Sequence, residues 1–108
     1  MNQLRNLVLK AGDTNSTLGE RHQAFSELVR LSDAALQHCP GSALLHFNRG
    51  VALDHLDRLD EAVASYERAL ELDETLADAH FNLARLRQEA GDERAALRHF
   101  NAYRRLQR

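Results

Sequence analysis

Apolar residues recur along most of this chain at the three- and four-residue spacing that is typical of amphipathic helices. The first stretch of this kind is short, and it predicts a helix over Asn2–Ala11. A longer stretch predicts a second helix from Thr17 to about His38, because Thr17 and Glu20 have the spacing of a capping box. The apolar stripe of this second helix consists of Ala24, Leu28, Leu31 and Ala35.

Four more helices are predicted after Pro40, and they divide into two pairs with the same apolar pattern. The second helix of the first pair is predicted over about Asp60–Leu72, and Gly91 is predicted to separate the helices of the second pair. The inward-facing residues of the last helix are predicted to be Ala96, Leu97, Phe100 and Tyr103. Each helix start is marked by a side-chain oxygen that can accept from a free backbone N–H group, and these residues are Ser42, Asp60, Thr75 and Asp92.

The two pairs repeat with a fixed period, which equals the separation of Ala43 and Ala77 along the chain. A period of about 20 to 50 residues is typical of helical repeat arrays, in which each unit buries its apolar face against the next. The pattern therefore predicts an all-α fold. The equivalent residues are Ala43 and Ala77, His46 and His80, Phe47 and Phe81, Asn48 and Asn82, Ala62 and Ala96, and Tyr66 and Phe100.

The segment Ala43–Leu76 resembles the tetratricopeptide repeat family, and in particular short bacterial proteins of that family, whose repeating unit is a helix–turn–helix. The resemblance implies an α–α superhelix, or solenoid, of antiparallel helix hairpins with about six helices. We expect Gly50 to let two helices approach closely opposite Ala62. The residues that carry the resemblance are Gly50, Ala62, Tyr66 and Ala69 in the first copy, and Leu83, Ala84, Ala96 and Phe100 in the second.

The period divides the chain into three parts of a single folded domain. We interpret residues 1–40 as a degenerate N-terminal helical repeat or cap, residues 41–76 as one tetratricopeptide repeat and residues 77–108 as a C-terminal one. Counting back by one period from Glu74 reaches Pro40, so the long helix before Pro40 occupies the place of the second helix of an earlier repeat.

The charges of the chain are unevenly distributed, although the net charge is only −2. Between positions 54 and 78, nine acidic residues and two arginines give −7, whereas between positions 85 and 108 seven arginines and three acidic residues give +4. The overall balance argues against nucleic acid as a partner. The two oppositely charged regions leave open that copies of the chain associate head to tail as homo-oligomers.

Cysteine usage and hydropathy predict a cytoplasmic protein that does not bind membranes. A single cysteine, Cys39, excludes an internal disulfide and is typical of a reducing compartment. No apolar run approaches the roughly 20 residues of a membrane span. The N-terminal residues have no small-residue cleavage site, so we do not interpret them as a signal peptide.

The sequence contains no motif for catalysis or for cofactor binding. It has no nucleophile elbow, no phosphate-binding P-loop and no glycine-rich turn of the kind that holds phosphates. Its six histidines show neither the one-face spacing nor the cysteine partners of a zinc site. We therefore predict no catalytic residue, no metal ligand and no cofactor.

The resemblance implies a binding groove on the concave face, which the first helix of each hairpin builds. Leu44, Phe47 and Val51 form an apolar stripe on this face, and the N-terminal helices are the alternative occupant of that stripe. Asn82 and Arg85 are expected to point away from the core, where Arg85 would favour an acidic ligand group. The predicted groove residues are Leu44, Phe47, Asn48, Val51, His55, Phe81, Asn82, Arg85 and Gln88.

The resemblance thus implies a scaffold for protein–protein interaction, with a protein or peptide as the partner. The alternative is a self-assembling structural module that joins copies of itself through charged or apolar ends. The last repeat also resembles the C-terminal repeat segments of some bacterial regulators, so the chain could be the repeat segment of a regulatory protein. Catalysis is the interpretation that the sequence favours least.

Overall fold

The computed structural model describes residues 17–108, which form α-helices and contain no β-strand. Each helix packs against the next one in the chain, and short turns make α2 with α3 and α4 with α5 into antiparallel hairpins. The all-α solenoid predicted from the period is confirmed, while the helix expected over Asn2–Ala11 lies outside the described residues. The helices are α1 (Leu18–His38), α2 (Ala43–His55), α3 (Leu59–Leu72), α4 (Ala77–Glu89) and α5 (Glu93–Leu106).

Three of the predicted helix caps are confirmed. The backbone N–H of Glu20 donates to the Thr17 hydroxyl at 3.1 Å before α1. The Ser42 hydroxyl accepts from the N–H of Leu45 at 3.2 Å before α2. The carboxylate of Asp92 caps α5 in the same way. Each bond satisfies an N–H group that has no partner inside its helix.

The other two predicted caps are wrong. Helix α4 begins at Ala77, and the preceding Leu76 offers no side-chain cap. The N–H and the hydroxyl of Thr75 both donate to Oδ1 of Asp73, at 3.0 Å and 2.6 Å, so the hydroxyl is used inside the turn. Asp60 lies within the first turn of α3, where the positive end of the helix dipole favours a carboxylate.

The turns inside the two hairpins have the same geometry. Asp57 and Gly91 are equivalent positions of the two repeats, and both have a left-handed backbone, with φ of 58° and 86°. The N–H of the following residue reaches back to close the preceding helix: Arg58 donates to the Leu53 carbonyl at 2.9 Å, and Asp92 donates to that of Arg87 at 2.8 Å. The sequence signals this conformation at Gly91 and not at Asp57.

The core lies between the helices of each hairpin and at their junctions. Its largest fully buried side chains include Tyr66, Leu53 and Leu83, of which Leu53 was not anticipated from the pattern. Gly50 does permit a close helix contact. Its neighbours, however, are Tyr66 and Ser65 rather than the predicted Ala62, because the aromatic ring fills the space that a side chain at position 50 would need.

Arg49 joins three helices in the first half of the structure. Its guanidinium donates to Asp33 of α1 at 2.6 Å and to the buried hydroxyl of Ser65 in α3 at 2.7 Å. Glu61 of α3 lies 3.9 Å away from the same side chain. A charged residue on α2 therefore links the long N-terminal helix to the first hairpin.

Leu97 is exposed, contrary to the prediction that it faces inward. It is 59% accessible, whereas its neighbour Ala96 is buried. The equivalent residue Val63 is half-buried because α4 packs over it. No helix follows α5 among the described residues, so the corresponding surface of α5 stays open to solvent.

Candidate functional site on the concave face

Helices α2 and α4 carry the predicted groove residues, and they expose them to different degrees. Leu44 is 60% accessible and Phe81 is 42% accessible. Phe47 and Val51 are half-buried and pack against the core. The apolar stripe predicted along α2 therefore consists of one exposed leucine and two residues that belong partly to the core.

A polar network ties α2, α3 and α4 together on this face. The hydroxyl of Tyr66 donates to the carboxylate of Asp54 at 3.3 Å, and the amide of Asn82 donates to that hydroxyl at 3.4 Å. Burial raises the pKa of Tyr66 well above its usual range, and the Asp54 charge raises it further. The guanidinium of Arg85 binds the same carboxylate and reaches Glu89 at 3.3 Å.

The sequence suggested that Asn82 and Arg85 point freely into solvent. In the structure both side chains are instead bound to neighbouring residues. Asn82 supports the buried hydroxyl of Tyr66, and Arg85 neutralises Asp54, whose side chain is only 14% accessible. Their role in contacting a ligand stays a prediction. An acidic ligand group at Arg85 would have to compete with the two carboxylates that already bind this guanidinium.

Helix α1 contacts the end of the groove at His55. The ring of Phe25 stacks on that of His55 with a centroid distance of 4.3 Å and an interplanar angle of 6°, and His55 remains exposed. This contact does not reach the apolar stripe, in which Leu44 is exposed, so the cover of the stripe by N-terminal helices stays a prediction. The part of that alternative that concerns Asn2–Ala11 lies outside the described residues.

Two further groove residues offer uncommitted amides. Asn48 is half-buried and Gln88 is exposed, and neither side chain forms a hydrogen bond within residues 17–108. A side-chain amide presents both a donor and an acceptor, which matches the backbone of a peptide. These two residues are thus available for a ligand in a way that Asn82 is not.

Phe81 lies beside two aromatic residues, Phe100 and Tyr103, that the sequence analysis did not assign to the groove. Its ring lies 5.2 Å from Tyr103 and 5.8 Å from Phe100, both on α5. Such contacts favour a fixed ring orientation. The replacement of a small residue of the family pattern by Tyr103 is the signal in the sequence that could have placed this side chain beside Phe81.

The equivalent histidines of the two repeats make the same backbone contact. The Nε2 atoms of His46 and His80 lie 3.0 Å from the carbonyl oxygens of Pro40 and Glu74, which are also equivalent in the two repeats. His80 additionally contacts His99 at 3.1 Å between their Nδ1 atoms. Burial, and to a lesser degree the neighbouring His80 and the cationic Arg98 and Arg87, together lower the pKa of His99 to about 4.

A metal centre is not built by these histidines. In the part of the chain that the structure describes, no group of three or more His, Cys, Asp or Glu side chains is arranged to hold a metal ion. Over the same residues, no helix is both long and apolar enough to cross a membrane.

Comparison with known proteins agrees with this architecture. Residues 55–91 match the family described as TPR repeat. The chain is also 36% identical over 91 residues to the Tetratricopeptide repeat and J domain-containing co-chaperone DNJ1 of Fusarium oxysporum f. sp. lycopersici, an alignment that covers 84% of this chain. The chain is a tetratricopeptide repeat protein. A second relative is the BBSome complex member BBS4 of Xenopus tropicalis, which is 33% identical over 75 residues, or 69% of the chain.

Solved structures named MamA share the fold of this repeat protein. MamA AMB-1 superimposes with a TM-score of 0.75 at 27% identity, covering 97% of this chain and 54% of that one. MamA of Desulfovibrio magneticus RS-1 has a TM-score of 0.69 at 16% identity, over 98% of this chain and 67% of that one. The chain spans only 16% and 14% of the length of the two curated relatives.

Proposed function

We propose that this tetratricopeptide repeat protein is a non-catalytic scaffold that binds a segment of a partner protein on the concave face of α2 and α4. The observation that carries the proposal is the exposure of Leu44 and Phe81 on the first helices of adjacent repeats. Exposed apolar side chains beside fixed polar groups are typical of surfaces that bind proteins. One similar protein is named as a co-chaperone and another as a member of a complex, and both names support the same class of function.

The groove residues divide into three roles in this proposal. Leu44 and Phe81 supply the apolar area that a partner buries, while the half-buried Phe47 and Val51 form the floor. The amides of Asn48 and Gln88 bind the backbone of the partner segment. The remaining predicted groove residues, which hold the surface in shape through contacts with neighbouring helices, are His55, Asn82 and Arg85.

The charges of the groove favour a partner segment that is apolar and either neutral or basic. The positive charge of Arg85 is compensated by Asp54 and Glu89. Asp78 occupies the position on α4 that Leu44 occupies on α2, and it is exposed. A negatively charged segment would meet a net negative surface on α4, which weakens binding at low ionic strength.

The test compares surface variants for a partner isolated by affinity capture from the native cell extract and then purified. Leu44→Ser and Phe81→Ser should each weaken its binding about tenfold or more, since apolar anchors dominate interface energies. Leu18→Ser is the matched control, because Leu18 is 82% accessible and lies on α1, outside the groove. Two repeats form a short groove, so we expect micromolar affinity, about −8 kcal/mol. Equal binding by all three variants would show that the partner uses another surface.

Self-assembly is the second candidate function, and its support is the open end at Leu97 together with the charge asymmetry. The charge argument for association of copies is weaker than the sequence implied, because several acidic residues of the negative region form ion pairs within the chain. These are Asp54, Glu61, Glu67 and Glu71. Mass measurement across protein and salt concentrations tests it: a monomer under all conditions contradicts self-assembly, and a species that dissociates with salt supports it.

We further propose a cytoplasmic location and a bacterial source for the protein, and a role as the repeat segment of a larger regulatory protein. The location rests on the exposed free thiol of Cys39, which is typical of reducing compartments. The regulatory role rests on the resemblance of the last repeat to the C-terminal repeat segments of some bacterial regulators. Fractionation of the native cells and the mass of the captured protein test both.

A further inference from the structure

The C-terminal helix α5 exposes a face that the equivalent helices α1 and α3 use for stacking. Three positions define this stacking face, at the spacing i, i+4 and i+7 along one side of each helix. In α1 and α3 they hold a valine, a carboxylate and a leucine, whereas α5 has a different set. The residues are Val29, Asp33 and Leu36 in α1, Val63, Glu67 and Leu70 in α3, and Leu97, Asn101 and Arg104 in α5.

Both internal stacking faces receive the next helix through the same kind of contact. The carboxylate of Asp33 accepts from Nε of Arg49 on α2 at 2.6 Å. The carboxylate of Glu67 accepts from Arg87 on α4 at 3.0 Å. Val63 and Leu86 line the same small cleft beside this second ion pair. A helix that stacks inside this protein therefore brings an apolar side chain and an arginine.

On α5 the first position of the stacking face is still apolar, but the face carries positive charge, whereas those of α1 and α3 carry a carboxylate. Leu97 is 59% accessible. Asn101 stands where the carboxylate would be, and its oxygen accepts from Arg104. The arginines around this face have no carboxylate partner among residues 17–108, and they are Arg94, Arg98, Arg104, Arg105 and Arg108.

Arginines before α5 behave differently. Six of them each pair with a carboxylate of this chain, and they are Arg30, Arg49, Arg58, Arg68, Arg85 and Arg87. On α5 the positive charges are instead gathered in one shallow hollow, which is lined by Arg98, Asn101, Arg104, Arg105 and Arg108. The stacking face of α5 is thus apolar at one point and strongly cationic around it.

We infer that this face docks an acidic amphipathic helix of a partner protein, stacked on α5 as α4 stacks on α3. The incoming helix places an apolar side chain on Leu97 and carboxylates against Arg98 and Arg104. The charge on its contact face is opposite to that of α4, where the contacting residue is Arg87. The surface is distinct from the concave groove, since it lies on the second helix of the hairpin.

Two other occupants fit the observations less well. A nucleic acid would satisfy the arginines, but it gives no reason for an exposed leucine at the position that holds a buried or half-buried valine in the other helices. A folded second copy cannot present its α4 to this face as α4 stacks on α3, because that helix already packs on its own α3 and its Arg87 pairs with Glu67. Charge complementarity therefore favours the acidic helix.

The experiment uses two stapled helical peptides with the sequence of Ala77–Glu89, because short helices are otherwise marginal in water. One peptide is unchanged, and the acidic peptide carries Arg85→Glu and Arg87→Glu. Binding to the full chain is followed by fluorescence anisotropy at low salt. We expect saturable binding of the acidic peptide, and binding at least about tenfold weaker for the unchanged one.

Variants of the chain locate the binding surface. Leu97→Ser and the double variant Arg98→Glu/Arg104→Glu should each weaken the acidic peptide about tenfold or more. The double variant should in turn bind the unchanged, arginine-bearing peptide. Leu18→Ser and Arg68→Glu change an exposed leucine and an exposed arginine away from α5, and they should bind the acidic peptide as the wild type does.

Four results would overturn the inference. The first is that Leu97→Ser binds the acidic peptide at wild-type strength while circular dichroism shows an unchanged helix content. The second is equally tight binding of a scrambled peptide of the same acidic composition. In the third, a single-stranded DNA oligonucleotide of mixed sequence displaces the acidic peptide and binds more tightly than it does. The fourth is a concentration-dependent increase in mass without peptide that Leu97→Ser abolishes, which would make a second copy the occupant.

Discussion

Gly50 of α2 lies directly against the ring of Tyr66 in α3, so that a Cβ atom at position 50 would stand 2.8 Å from two of its carbon atoms. The ring cannot easily move away, because Tyr66 is completely buried and its hydroxyl is held by Asp54 and Asn82. This contact sets the distance between the two helices of the first hairpin. It also makes position 50 the clearest place to test the packing.

We predict that Gly50→Ala lowers the free energy of unfolding by about 1–3 kcal/mol, because overpacking outweighs the better helix propensity of alanine. Gly50→Leu should have a larger effect. Gly19→Ala in α1 is the control, since nothing lies within 4 Å of its added Cβ, and it should be neutral or slightly stabilising. Urea unfolding measures all three. A Gly50→Ala protein as stable as the wild type would contradict the helix register.

The ion pair between Arg85 and Asp54 should contribute to stability as well as to the shape of the groove. Arg85→Ala leaves Asp54, which is only 14% accessible, without its cation, so we expect a loss of about 1–3 kcal/mol. Arg68→Ala removes an exposed pair within one helix and should cost less than about 0.5 kcal/mol. Thermal unfolding distinguishes the two. Similar melting temperatures for both variants would mean that the network is not formed in solution.

The pH dependence of stability should contain a contribution from His99. The pKa of His99 is lowered to about 4 in the folded protein from an ordinary value of 6.5. The unfolded chain therefore binds the proton first on acidification, and stability is lost as pH falls from about 6.5 to 4. Because water partly screens this half-buried ring, we expect a loss of about 1–2 kcal/mol.

The measurement for His99 compares urea unfolding at pH 7 and pH 4.5 in the wild type and in His99→Asn. The variant keeps a side-chain N–H for His80 and should lose part of the pH dependence. His22→Asn, at an exposed position on α1, is the control and should behave as the wild type. The assignment is refuted by a pH dependence that is the same in all three proteins.

Both equivalent turns favour glycine, so introducing glycine at position 57 and removing it at position 91 should change stability in opposite directions. Asp57 has a left-handed backbone that glycine adopts without strain, so Asp57→Gly should stabilise the protein by about 0.5–1 kcal/mol. Gly91 has a positive φ as well, and Gly91→Ala should destabilise it by about 1 kcal/mol or more. Calorimetric melting temperatures that move in the same direction for both variants would contradict the common turn geometry.

The fold could be predicted from the sequence because the fixed period repeats the positions that pack between helices. The caps Thr17, Ser42 and Asp92 were predictable for the same reason, since each acts on its own helix. Thr75 was not, because its hydroxyl can bond either to the helix start or to Asp73, and the sequence does not decide between them. Local rules succeed where only one partner is within reach.

The sequence predicts which helix face carries the candidate site, but it does not predict which side chains of that face bind one another. Helical periodicity places Phe81 and Arg85 on one face of α4, as observed. The pairing of Arg85 with Asp54 joins distant positions of the chain on different helices, and it depends on side-chain geometry that no spacing rule contains. Leu97 was expected inside because it belongs to the apolar pattern of α5. The structure shows that its equivalent Val63 is covered by α4, a helix that has no counterpart after α5 among the described residues.

The stacking of each helix on its neighbour in the chain also determines how the molecule responds to tension. Contacts between the described helices join segments that are close in sequence, so each hairpin is held mainly by the one beside it. A pull on the C-terminus therefore loads α5 first and the junction of α3 with α4 next, where Arg87 with Glu67 and Arg85 with Asp54 resist separation. The protein should extend stepwise, one hairpin at a time, and a binding event on the concave face should raise the force of the step that separates α2 from α4.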